Sequence, residues 1–370
     1  MENNTRSSGM VTIGLDLGDK VSYLFALDKD GEFLEEGRLK TTIEAFRDRF
    51  TGIEPTRVAM ETGTHSPWTS RLLGDLGHKV LVANSHQLRL ISESNTKTDR
   101  ADAKTLAEVC YARPQLLRPI QPRPLEAQLG LAWIRARQSL VEVRTKLINH
   151  VRGAVKSIGA RIPSCSTPSF HNKAREHIPE ELRGALSPHL KMIEELGTEI
   201  RDHDKVVEKL CKKKFPQTGI LREVPGVGPL TALAFVLVLA NPRRFKDSRT
   251  VGAYLGLTPR KSDSGEQQPQ LRITKAGDSL MRKLLVGSAH YILGPFGPET
   301  DLRRYGLELA RRGGKNAKKR AVVAVARKLA VLLHHLWITG EMYEPQRNTA
   351  RMKPASALGG AGELVVAKRK

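Results

Sequence analysis

The stretch that decides the fold is Val11–Lys40, VTIGLDLGDKVSYLFALDKDGEFLEEGRLK. Val11 to Leu17 reads as a buried strand and Val21 to Leu27 as a second, and Asp28-Lys29-Asp30-Gly31 is a hairpin turn into a third, Phe33 to Leu39. Three successive antiparallel strands are expected. Working outward, Arg57 to Glu61 (RVAME) is a fourth short strand, Pro67 to Leu76 a helix and Lys79 to Ala83 (KVLVA) a fifth strand, which is the alternation of an α/β layer. Asp99 to Tyr111 (DRADAKTLAEVCY) then has helical spacing and good helix formers.

Beyond Leu125 the pattern loses its strands. Leu125 to Ile158 and Pro188 to Leu210 space apolar residues three and four apart with charges between them. Arg161 to Phe170 (RIPSCSTPSF) interrupts the two, so an antiparallel helical hairpin or coiled coil is expected. The chain is mostly helical again from Pro216 to Tyr343. The expected domains are an α/β RNase H-like (RuvC-like) domain over 9–115, a long-helix region over 120–215, a mostly α carboxy-terminal domain over 216–345 and a disordered basic tail over 346–370.

The 370 residues, 39% hydrophobic, 5% aromatic and 27% charged, describe a helix-rich globular protein. No apolar run reads as long enough to span a bilayer, and MENNTRSSGM lacks the basic-then-apolar pattern of a secretion signal, so a cytoplasmic location and no membrane partner are expected. Cys110, Cys165 and Cys211 are odd in number and far apart, which fits packing or surface and neither a disulfide framework nor a zinc site. The net charge of +22 is unevenly placed: residues 1–110 carry 14 basic and 17 acidic side chains, the remainder 47 and 22. A mildly acidic region joined to a strongly basic one suits catalytic carboxylates in one domain and phosphate neutralisation by the others. A solubility charge or membrane-surface patch would instead gather on one amphipathic helix.

Four acids stand where chemistry would use them. Asp16 lies mid-strand between apolar neighbours, where an unpaired charge is costly, and Glu61 ends the fourth strand. Asp99 and Asp102, at i and i+3, share one face of a helix. Two divalent cations need several hard oxygen ligands to activate a nucleophile and stabilise a leaving oxygen in phosphodiester cleavage, and these four supply them. Taken singly, Asp102 reads as an exposed helix residue, Asp99 as a helix cap and Glu61 as a solvated strand end. The opening IGLDLG also begins actin-like ATPases and sugar kinases, but that reading requires a second phosphate-binding strand pair and a glycine-rich adenosine pocket, which the sequence lacks.

In VPGVGPLTA, Gly226 and Gly228 are spaced to turn tightly and start a helix, as in a helix-hairpin-helix whose backbone amides bind phosphate; the plain alternative is an interhelical turn. GLTPRKSDSG holds Ser262 and Ser264 beside Arg260 and Lys261. Turn formation is the stronger reading of both serines on the residues alone, since no His or Asp partner stands close in sequence. Arg272, Lys275, Arg282 and Lys283 form one basic cluster. Arg311, Arg312, Lys315, Lys318, Lys319 and Arg320 form another ahead of an apolar helix, with phosphate contact favoured over a solvated helix start. His334 and His335, within that helix, read as packed rather than metal-binding.

Read in order, IGLDLGDK, VAMETG, KTDRADA, VPGVGP, AYLGLTPRKSDSG, LRITKAGDSLMRKLL and KKRAVVAVARKLAVLLHHLWITGEMYEP closely resemble the insertion-sequence transposases that join an amino-terminal RuvC-like DEDD domain to a carboxy-terminal serine transposase domain, the bridge-RNA-guided recombinase type. The resemblance runs from about Val11 to Pro345. It implies a DNA transposase or recombinase that cleaves and rejoins the strands of an insertion element, with Mg2+, two ions in all, on Asp16, Glu61, Asp99 and Asp102. It makes Ser264 the nucleophile, with Ser262 its rival. It also implies a structured non-coding guide RNA, a homodimer or higher homo-oligomer, and a prokaryotic cytoplasm with association to the nucleoid during activity. Where such proteins often carry a run like ISKRG, this chain has Ile273-Thr274-Lys275-Ala276-Gly277, one basic residue fewer. The competing class is a structure-specific junction endonuclease that uses the carboxylates and water, with neither serine nor RNA; a non-catalytic nucleic-acid-binding protein is the third.

Overall fold

The computed structural model describes residues 10–84, 98–262 and 271–347. It divides into two compact units that meet in sequence between Arg123 and Pro124.

The first unit is built on the expected strands. β1 (Thr12–Asp16), β2 (Val21–Leu27), β3 (Phe33–Lys40), β4 (Arg57–Glu61) and β5 (Lys79–Ala83) form one sheet in the order β3-β2-β1-β4-β5. β1, β2 and β3 pair antiparallel, as two tight reversals demand, whereas β1–β4 and β4–β5 are parallel, each reached by a crossover. One face packs Ile13, Leu15, Val58 and Met60 against helices α1 (Ile43–Phe50) and α2 (Ser66–Asp75). The sequence reading passed over α1, whose signals are the Thr42 cap, accepting from Ala45 N–H at 3.2 Å, and Phe46 and Phe50 one turn apart and fully buried. The other face is covered by α3 (Asp99–Ala112), through Ala103, Leu106, Ala107 and Cys110. Thr98 caps α3 by accepting from Ala101 N–H, so Asp99 is its first residue and not its cap.

The second unit joins the long helices to everything after them. α4 (Leu125–Ser157) and α6 (Glu180–Lys213) lie antiparallel: Arg137 pairs with Asp204 at 2.6 Å near one end and His150 stacks on His189, rings 4.9 Å apart, towards the other. The short α5 (Phe170–His177) closes the far end with its own core of Val151, Val155, Phe170 and Leu190. α6 starts eight residues before the Pro188 at which the sequence reading began it. Pro188 is exposed, as is Gly184 one turn back, so the carbonyl that proline leaves without a partner faces water.

At the near end, Ala127, Leu131 and Ile134 of α4 and Val207 and Cys211 of α6 enter the core of the carboxy-terminal helices: α7 (Thr218–Arg222), α8 (Pro229–Leu239), α9 (Thr250–Tyr254), α10 (Ser279–Leu293), α11 (Asp301–Arg311) and α12 (Ala317–Thr339). α8 is buried at every residue from Thr231 to Leu239, as a helix apolar on all sides must be. Packing therefore does not break at 215/216, where the sequence reading set a domain boundary. α12 corrects another expectation, since it is long and apolar enough by length and composition to cross a membrane; half of that apolar window is buried in the unit's own core. The expected tail beyond residue 347 lies outside the described residues.

Candidate active site and nucleic-acid interface

The acidic positions follow from strand register. β1 and β4 run parallel with Gly14 opposite Ala59 and Leu15 opposite Met60, which sets Asp16 level with Glu61 at the carboxyl ends of neighbouring strands. Side chains two apart share a face. Gly14 and Ala59 lie under α3, since a Cβ on Gly14 would stand 2.0 Å from the Ala103 carbonyl oxygen and Ala59 packs with Leu106 and Cys110. Asp16 and Glu61 are therefore on the face that α3 covers.

The direction of α3 is fixed by its far end. Tyr111 meets Gly31 in the β2–β3 turn, and Arg57, paired with Thr12, donates to the Cys110 carbonyl at 3.5 Å. The amino-terminal turn thus comes back over the Asp16 end of the sheet. Asp102 and Asp99 lie one and four residues before Ala103, and Asp16 lies two strand residues beyond Gly14; these offsets are about 1.5 and about 6 Å on the helix and about 7 Å on the strand, along nearly opposed axes. The fold brings together the backbone positions of all four predicted acids at one end of one face. Asp16, Glu61 and Asp102 are half-buried and Asp99 is exposed. Among the described residues, no three Asp, Glu, His or Cys side chains are drawn into a ready-made metal cage. The donors are all hard oxygens, a set whose chemistry suits a hard divalent cation such as Mg2+.

The sequence reading missed a neighbour at this end. His65, in the loop after β4, accepts from Trp68 Nε1–H through Nδ1 at 3.1 Å, which leaves Nε2 facing the Asp19 carboxylate at 3.7 Å. Two ordinary-looking loop residues became neighbours only because β1 and β4 are adjacent.

In the second unit the predicted basic residues separate into four groups. Arg272, Lys275, Lys319 and Arg320 converge, with Arg312 and Lys315, on one groove of about 1440 Å³. Lys275 has φ +58°, and the loop that holds it is fixed by Lys275 N–H donating to Gly256 O at 3.1 Å. Gly226, Gly228 and Lys283 line a second, shallower hollow with Arg222 and Tyr291. Gly226 needs its glycine: φ is +82°, and a Cβ would meet Ser288 O and the Tyr291 ring at 3.0 Å. Arg282 is a correction, because its Nη1 turns inward to the carbonyls of Leu255, Ala276 and Gly277 at 3.2, 2.5 and 3.0 Å, and burial lowers its pKa. Through Nη1 it braces a loop.

Arg260, Lys261 and Lys318 are exposed and line neither hollow. Arg260 N–H donates to Arg272 O at 2.9 Å, pairing the two arms of the loop that carries the serines; Ser262 is exposed on one arm, and Ser264 lies outside the described residues. His334 is fully buried and packed as expected: Nδ1 meets Ser248 Oγ and Nε2 the Pro242 carbonyl, both at 2.9 Å.

Comparison with known proteins finds similarity along most of the chain. A family model described as an IS110-type DEDD transposase matches residues 13–159, and one described as "Transposase IS116/IS110/IS902 family" matches residues 218–301. The chain is 28% identical over 340 residues to the transposase for insertion sequence element IS1111A of Coxiella burnetii, covering 90% of each chain. It is 29% identical to the "Probable family 20 transposase" of Pseudomonas aeruginosa, covering 90% of this chain and 98% of that one. With the transposase for IS1328 of Yersinia enterocolitica the identity is 27%, over 75% of this chain and 82% of that one. A sheet that levels Asp16 with Glu61 under an acid-led helix, followed by a basic helical unit, lies along the same span as these matches, and over that span the chain is similar to transposases of the IS110/IS116 type.

Proposed function

We propose that the chain is a DNA transposase or recombinase of an insertion element, working through one carboxylate site and one serine. The observation that carries this reading is the level pairing of Asp16 and Glu61 on parallel strands, beneath a helix that opens with Asp99 and Asp102. Those four residues would hold Mg2+, which when bound polarises the scissile phosphate and stabilises the leaving oxygen. Ser264 Oγ attacks phosphorus and loses its proton as the bond from phosphorus to one deoxyribose oxygen breaks, and that oxygen takes up a proton to leave as a free strand-end hydroxyl. The resulting phosphoserine ester keeps the phosphodiester's energy, so a deoxyribose hydroxyl can later attack it, rejoin a strand and return the serine hydroxyl.

Basic groups of the second unit hold the DNA backbone in this reading. A structured guide RNA pairing with donor and target DNA, and a homodimer or higher assembly, complete the proposal on the strength of the family likeness. The test is strand exchange on element-end DNA with Mg2+ by purified Ser264→Ala and Asp102→Ala proteins, together with denaturing gels that trap a protein–DNA adduct. Loss of exchange in both, with an adduct in Asp102→Ala reduced and in Ser264→Ala absent, supports the scheme. Cleavage by Ser264→Ala at the native rate refutes the covalent step and leaves a water-using junction endonuclease.

A further inference from the structure

The groove of the second unit has more in it than cations. At about 1440 Å³ it exceeds the roughly 300–1,000 Å³ of ordinary small-molecule sites, which points to a length of chain as its occupant. Its floor is apolar and only partly covered by the protein itself: Tyr305 and Leu309 of α11 and Val323, Val331 and Leu332 of α12 are each half-buried. Its rim is cationic, with Arg272 and Lys275 from one loop, Arg312 and Lys315 from the α11–α12 turn, and Lys319 and Arg320 from the first turns of α12. Of the two lining acids, Asp301 is already paired with Arg304 at 2.7 Å. Partway along, Lys328 Nζ stands 3.7 Å from the Tyr305 ring centroid, so an aromatic face and a charge occur together.

A DNA duplex presents phosphates outward and keeps its bases stacked within, so it would use the rim and leave the apolar floor empty. An unpaired strand offers both surfaces, with bases for rings and aliphatic side chains and phosphates for lysine and arginine. We infer that this groove holds a single-stranded segment of DNA, with the Tyr305 ring offering aromatic surface to a base and Lys328, which lies over one face of that ring, meeting a phosphate. The inference rests on the nucleic-acid reading above and names the form of DNA that this surface takes, the form that strand cleavage and exchange must expose.

The full chain is titrated, by fluorescence anisotropy at physiological salt, into a labelled single-stranded DNA of about 12 nucleotides, a length that one single-strand site commonly binds. The blunt duplex and the RNA of the same sequence are measured alongside. The expected result is single-stranded DNA bound about tenfold more tightly than duplex. Tyr305→Leu, which keeps an apolar side chain at a half-exposed position, and Lys328→Ala should each weaken the single strand about five- to tenfold and leave duplex binding unchanged. Photocrosslinking from a 5-iododeoxyuridine strand reads the site without mutation and should label peptides of α11 or α12. Equal affinity for duplex, equal loss of both substrates in the variants, or crosslinks elsewhere would overturn the inference and leave the DNA-processing reading intact. Tighter RNA binding at the same residues would overturn the DNA assignment, and displacement by poly-glutamate as effective as by oligonucleotide would point to an acidic protein segment. No binding to any nucleic acid would remove both readings.

Discussion

Gly14→Ala is the sharpest probe of the carboxylate arrangement, because it touches no acid. The added methyl carbon would sit 2.0 Å from the Ala103 carbonyl oxygen and 2.6 Å from the Ala107 nitrogen, both backbone atoms of α3. Real Cβ contacts essentially never fall below 3.0 Å, so α3 must back away from β1 by about 1 Å or tilt. Overpacking of this kind costs about 1–3 kcal/mol in stability. The larger effect is on geometry: Asp99 and Asp102 ride on α3 and Asp16 on β1, so the displacement opens the set by about the distance that can cost a hundredfold in rate. The assay pairs urea unfolding, followed by circular dichroism, with Mg2+-dependent cleavage of element-end DNA. Gly37→Ala is the control, since nothing lies within 4 Å of its added carbon, and it should stay within about 0.5 kcal/mol and cleave normally. A Gly14→Ala protein that unfolds at the native urea midpoint would show that α3 does not press on β1 as described. One that is destabilised yet cleaves at the native rate would refute the dependence of chemistry on the α3 acids.

Other expectations bear on the second unit and on pH. Lys319→Ala and Arg320→Ala should each reduce the slope of log affinity against log salt for duplex DNA by about 0.9 if each side chain neutralises one phosphate; an unchanged slope removes that residue from the interface. Arg282→Ala, by contrast, should leave the salt slope alone and cost about 1–3 kcal/mol in a denaturant titration, because three carbonyls lose their shared donor. Burial pushes the Cys110 thiol from 9.0 up to about 12, so it should resist iodoacetamide at mild alkaline pH until the protein unfolds. The same shift raises the folded-state pKa above the unfolded one; its stabilisation is complete below pH 9 and should fall by up to about 1.4 kcal/mol per pH unit between there and about 12, a loss that Cys110→Ala should abolish.

The strands of the first unit were legible because period-2 apolar patterning, an Asp-Gly turn and short length all agreed; all five strands fall within a residue at each end of where the pattern set them. Strand order was not written locally. That β1 lies between β2 and β4, which is what levels Asp16 with Glu61, follows from parallel crossovers that no single segment encodes. Short helices were lost because eight residues such as Ile43–Phe50, half of them charged, carry barely two turns of period. Arg282 and Lys283 are adjacent in sequence and chemically alike, yet one turns into a loop's carbonyls and the other faces solvent, a choice made by how α10 is rotated in the core. Ser262 follows closely on Arg260, whose N–H pairs with the Arg272 carbonyl, a link between residues twelve apart that composition alone does not announce.

The completely enclosed α8 sets a limit on how this protein can be taken apart or recombined with its relatives. It shares one core with Leu131 and Ile134 from before it and with Leu285, Leu329 and Leu333 from after it, so neither flank is a portable module. A chimera that exchanges the long hairpin while keeping its own carboxy-terminal helices would graft a foreign lid onto α8. Successful hybrids should cut at 123/124, where compact units meet, and swap everything downstream together.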